Sequence, residues 1–124
     1  MILGEVHKMT ALSEFVLART AEDEAVALSA RGPGDGEWAS WNRSWDTSPM
    51  RDLAADGVRV ATLPITIDEH VCRHDPARVL AECEAKRAIV FMSEHGCGDD
   101  YERVQRALAL PYAEHPDFRR EWKS

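Results

Sequence analysis

The stretch His70-Val71-Cys72-Arg73-His74-Asp75-Pro76-Ala77-Arg78 decides how this chain folds. Aspartate is a strong helix N-cap, and proline directly after it sits at the first helical position, where its missing N–H costs nothing. The stretch therefore closes one helix and opens another. Upstream, Thr66-Ile67-Asp68-Glu69 has the form of a capping box, with Glu69 reaching back to Thr66, and predicts a short helix to about Arg73. Downstream, the pattern predicts a long helix to about Glu94, ended by His95-Gly96. Val79, Leu80, Cys83, Val90 and Phe91 make one apolar stripe on it, and Ala77, Ala81, Ala85, Ala88 and Met92 make another. A helix apolar on two sides is expected at the packing centre of its fold.

Working outward, Thr10 to about Ala30 predicts a first helix with Leu12, Phe15, Val16, Val26, Ala27 and Ala30 at helical spacing. Arg31-Gly32-Pro33-Gly34-Asp35-Gly36 breaks it. Trp38, Trp41 and Trp45 in Glu37–Trp45, and the alternation of Gly57–Leu63, predict a small β-ribbon over about residues 37–63, with a loop from Asp46 to Asp56. The tryptophan spacing also fits a helical turn. Asp99 or Asp100 caps a further helix through about Leu108, with Tyr101, Val104 and Leu108 as its stripe and Pro111 as its stop. A last turn follows through Phe118 and Trp122. The fold class is mainly α with a small β-ribbon (α+β), three to four helices around a central one. Residues 1–9 form an N-terminal extension, since Met9 is a second candidate start, and residues 10–124 a single domain.

Bulk composition narrows the function classes. The chain has 124 residues, 44% hydrophobic, enough for one core. Its formal net charge is −7, with no concentrated Lys/Arg run, which disfavours a nucleic-acid partner. The apolar start Met1–Val6 is too short for a signal core or a membrane span. Three cysteines, Cys72, Cys83 and Cys97, point to a reducing cytoplasm rather than a disulfide framework. With His95 they contain no Cys-x-x-Cys knuckle, so a zinc set is not expected of them. There is no Gly-rich phosphate loop and no nucleophile elbow.

Polar residues sit where the period asks for apolar ones. Arg19 and Asp23 fall on the inward side of the first helix, with Glu22 flanking it. His70 and His74 share the side of Ile67 and Val71 in the short helix. Arg87 lies in the stripe of the long helix. Arg19, Asp23, His70, His74 and Arg87 are therefore expected to converge, either as a structural network fixing helix register or as a ligand site. The metal version uses His70 and His74, spaced i, i+4, with Asp23 or Glu22 as third ligand to a divalent ion. Two functions follow. One is a non-enzymatic binding or regulatory module, self-associating or holding a protein partner through the ribbon or a helix face. The other is a metal-dependent hydrolase of a small phosphate or nucleotide substrate, with Arg87 orienting the anion.

The segment from His70 to Leu80, continued by Glu82 and Glu84-Ala85-Lys86-Arg87, resembles a family of small actinobacterial and actinophage proteins of unknown function. Phe15, Ala18-Arg19 and Glu22-Asp23-Glu24 resemble its opening, and Arg106–Ala113, His115-Pro116-Asp117 and Glu121-Trp122 its close. The resemblance covers most of the chain from about Met9. It implies a complete single cytoplasmic domain and no reaction. Val71-Cys72 reads as a variation on the pattern, which makes Cys72 a poor candidate for a shared role.

Overall fold

The structure is a computed structural model that describes residues 9–41, 49–95 and 100–123. The elements run α1 (Ala11–Arg31), β1 (Trp38–Trp41), β2 (Met50–Ala55), β3 (Val58–Pro64), α2 (Ile65–Arg73), α3 (Pro76–His95) and α4 (Tyr101–Ala109), then 3-10 turns at Leu110–Tyr112 and Arg120–Lys123. The mainly helical class with a small sheet is as expected from sequence. The chain forms two compact units, Met1–Glu22 with Glu84–Ser124, and Asp23–Cys83. Both α1 and α3 contribute to each. Of the expected extension at residues 1–9, only Met9 lies within the described residues.

The first unit is built on aromatic packing. Thr10 caps α1, its Oγ1 accepting the Ser13 N–H at 3.0 Å. Leu12, Phe15 and Val16 of α1 then bury against Val90, Ala109 and Trp122. Phe15 is the hub, with ring centroids of Trp122 at 5.1 Å, Phe118 at 5.9 Å and Tyr112 at 6.4 Å. Edge-on arrangements match the electron-rich ring face to a positive ring edge. Lys86 closes this side by donating to the Tyr112 hydroxyl at 2.8 Å.

The second unit is a three-stranded antiparallel sheet in the order β1-β2-β3, with α2 packed on all three strands. Strand β2 occupies most of the expected Asp46–Asp56 loop, so the ribbon gains a strand. Asp56 and Gly57 have φ of 52° and 74°, the two left-handed residues of the tight hairpin that joins β2 to β3. Leu53 and Ala54 of β2, Ala27 of α1 and Cys83 of α3 are buried.

Several inward faces differ from the sequence expectation. Helix α2 opens at Pro64 without a side-chain cap, because β3 runs straight into it and the Ile65 N–H goes to Pro49 O at 2.7 Å. Thr66-Ile67-Asp68-Glu69 is thus one turn of helix and not a capping box. Its buried residue is Asp68, while Ile67 is 50% exposed. Val26 on α1 is 70% exposed, and the alanine side of α3 at Ala81, Ala85 and Ala88 faces solvent. On α4 the buried positions are Gln105 and Ala109, one residue on from the expected Val104 and Leu108. The Gln105 amide is accommodated by donating to Ser93 Oγ at 2.9 Å, and Ser93 donates in turn to Val90 O at 2.7 Å. Trp45, Gly96, Cys97 and Asp99 lie outside the described residues.

Candidate functional site

The helix junction is the most organised polar site in the second unit. Asp75 is its centre. One carboxylate oxygen accepts the Arg78 N–H at 3.0 Å, which is the N-cap bond of α3. The other accepts the Trp38 N–H at 3.0 Å, from the start of β1. A single side chain thus ends the orphaned backbone of a helix and pins the sheet to it. A second link lies alongside, where the Ala77 N–H donates to Gly36 O at 3.0 Å. Gly36 has φ of 81°, and a Cβ there would come within 2.9 Å of the Ala77 nitrogen, so only glycine allows this approach. Arg78 reaches back across the junction, donating from Nη1 to Arg73 O at 3.2 Å and pairing through Nε with Glu82 at 3.3 Å.

His74 occupies the C-cap of α2. Its ring lies beside that of His70, with centroids 4.4 Å apart and planes inclined by 33°. Its Nδ1 is 2.8 Å from His70 O. A carbonyl only accepts, so Nδ1 carries a proton, and in the neutral ring the lone pair is then on Nε2. Both histidines are exposed, unlike the inward placement expected from the Ile67/Val71 face.

On the opposite side of α2, Asp68 is fully buried, and its Oδ2 has no hydrogen-bond partner among the described residues. Cys72, one turn on, lies 3.9 Å from Asp68 Oδ1 with its thiol donating. Burial pushes the Cys72 thiol above its ordinary range. The Asp68 carboxylate adds to this by its charge and by accepting the S–H, and Asp75 adds its charge. The thiolate is therefore disfavoured, and the stability linked to this proton is held below the ordinary thiol range and lost as pH rises through the folded value. We expect Cys72 in the folded chain to be alkylated by iodoacetamide at pH 8 more slowly than in the unfolded chain, and Asp68→Asn to accelerate it. Mass spectrometry of the Cys72 peptide reads both. Equal rates in the folded wild type and the Asn variant would show that the carboxylate does not govern this thiol.

Arg19 belongs to the first unit. It is buried in α1 and meets Glu22 at 2.9 Å and Asp117 at 3.9 Å. Its guanidinium also lies 5.2 Å from the Phe15 ring centroid. Its Nη1 touches both nitrogens of the His115 ring and donates to Nδ1 at 2.8 Å, where the Asp117 N–H also donates at 3.0 Å. Arg19 fastens the His115-Pro116-Asp117 turn onto α1. Sequence spacing missed these partners because the nearer of them, His115, lies 96 positions away along the chain. Arg87 is half-buried in the same unit, where it lines an apolar groove with Leu17, Val90 and Phe91. Asp23 is half-buried and belongs to the other unit. Of the five expected residues, His70 and His74 are brought together. Among the described residues no group of three or more His, Cys, Asp or Glu side chains is gathered as a metal ion would require.

The model of a family of unknown function, DUF6221, matches residues 9–124, a span that holds the junction and both histidines. The chain belongs to this family. No curated protein and no solved structure matches it. The DUF6221 match starts at Met9, next to the Thr10 cap of α1, and leaves residues 1–8 outside it. Among the described residues of this DUF6221 chain, no helix is long and apolar enough to cross a membrane.

Proposed function

We propose that this chain is a non-enzymatic cytoplasmic binding module whose partner is a protein, in the first place a second copy of itself. One observation carries the reading. Phe91 and Met92, on the outer side of α3, are 62% and 55% exposed. Phe91 lines a groove of ≈ 360 Å³ with Met9, Leu17, Arg87, Val90, Glu94 and His95. Large apolar side chains clustered in solvent around an apolar depression mark an interaction surface more often than an inert one. The charged rim formed by Arg87 and Glu94 would set register, since both signs are present for a copy to answer. The net charge of −7 disfavours a nucleic-acid partner. The free thiols of Cys72 and Cys83 agree with a reducing compartment.

Size-exclusion chromatography with light scattering tests this. The wild-type chain is expected to show a concentration-dependent dimer. Phe91→Asp, at an exposed position, is expected to leave the circular dichroism unchanged and to return the chain to monomer. A wild type that stays monomeric at high concentration removes the self-association reading.

A further inference from the structure

We propose that His70 and His74 form a two-imidazole site for a borderline divalent cation, Zn²⁺, Ni²⁺ or Cu²⁺, on the exposed face of α2. Residues four apart lie one above the other on a helix, so their side chains address the same point in solvent. The rings already lie side by side, 4.4 Å between centroids. A second, independent observation prepares one of them as a ligand. The Nδ1–H of His74 is held by His70 O at 2.8 Å, which leaves the Nε2 lone pair for a metal. Donation of the other ring N–H to a backbone carbonyl is the arrangement that fixes tautomer and orientation in metal-bound histidines. The backbone beneath is fixed as well. His74 is the C-cap residue, its own N–H bonded to His70 O and Val71 O, and Asp75 anchors the next residue to both α3 and β1. The ligand pair therefore stands on a rigid corner rather than on a loose loop.

The chemistry selects the cation. Imidazole nitrogen suits zinc, copper and nickel, whereas magnesium and calcium need oxygen ligands that this face does not present as a set. Two protein donors leave the remaining coordination positions for water or for a donor from whatever docks on this face. The net charge of −7 raises the local concentration of cations around the chain. This site shares no residue with the groove on α3, so its failure leaves the binding-module reading standing, and the reverse holds too.

Isothermal titration of the full chain, made without a histidine tag, with nickel or zinc chloride tests the site. One equivalent is expected to bind, and magnesium chloride gives no heat. Loss of even an outer-shell partner of a metal-bound histidine costs 10–100-fold in affinity, so His70→Ala and His74→Ala are each expected to weaken binding by at least about tenfold. Both side chains are exposed, so both variants keep the wild-type circular dichroism. The proposal is overturned if the wild type shows no saturable binding, or if the His70→Ala/His74→Ala double variant still takes up one equivalent with wild-type affinity.

Discussion

Phe15→Ala is expected to destabilise the chain by about 4 kcal/mol, the usual cost of truncating a large buried aromatic side chain to alanine. Phe15 is 6% exposed and touches a ring on nearly every side. Its loss removes the contacts to Tyr112, Phe118 and Trp122, the ring edge offered to His115 at 5.6 Å, and the surface on which the Arg19 guanidinium rests. The last two matter beyond area, because Arg19 is buried and depends on tight neighbours to offset its desolvation. In a thermal melt, a loss of that size in a chain of this length lowers Tm by roughly 10–15 °C. Phe91→Ala is the matched comparison, since the same residue type sits 62% exposed on α3. In the monomer it should move stability by no more than about 0.5 kcal/mol. Equal effects of the two substitutions would show that the core of the first unit is not where the aromatic contacts place it.

Asp75→Ala is expected to cost about 3 kcal/mol. Its N-cap bond to Arg78 is worth about 1 kcal/mol. Its bond from the Trp38 N–H, made to a charged acceptor, is worth about 2 kcal/mol. The second share has no counterpart in the local sequence, and Asp75→Ser separates the two. A serine hydroxyl still caps α3 but is too short to hold Trp38 as well. The Ser variant should therefore recover the cap and lose the link to the sheet, melting between wild type and Ala. Amide hydrogen exchange gives the sharper reading, with faster exchange at Trp38 in both variants and at Arg78 in the Ala variant alone. If Trp38 exchange is unchanged, the carboxylate does not join strand to helix.

The contrast between Asp75 and Thr66 explains how much of the fold is legible in the chain. Both have the spacing of a helix cap in the sequence, but Thr66 is the second residue of α2. Asp75 is followed by Pro76, which cannot continue a helix from behind and is at ease as its first residue, so the local signal is unambiguous. Thr66 is overridden because β3 delivers the backbone directly into the first turn, so that α2 already begins at Ile65, whose N–H is held by Pro49 O, and Thr66 falls inside the helix. Strand β2 was readable in principle. Asp56-Gly57 between two short runs is a strong short-range hairpin signal, and both residues take the left-handed φ that such a turn needs. The polar residues divide in the same way. That His70 and His74 share a helical face follows from their spacing alone. Whether that face looks inward does not, because the amphipathic pattern of α2 is short and its most deeply buried residue is an aspartate.

From sequence alone come the boundaries of α1 and α3 to within a residue, the end of α2, the restart at Asp75-Pro76, and the pairing of two imidazoles one turn apart. Each of these rests on interactions that span four residues or fewer, so the local chain contains both partners. Tertiary structure alone decides that Asp75 also holds Trp38, that Arg19 finds His115 and Asp117, and that Asp68 rather than Ile67 turns inward. Those outcomes depend on which distant segment arrives to fill a space or accept a proton. A burial pattern that mixes charge with apolar side chains leaves several arrivals open until packing selects one. The restart at Asp75-Pro76 belongs to both lists, a local cap by sequence and a joint between sheet and helix by fold.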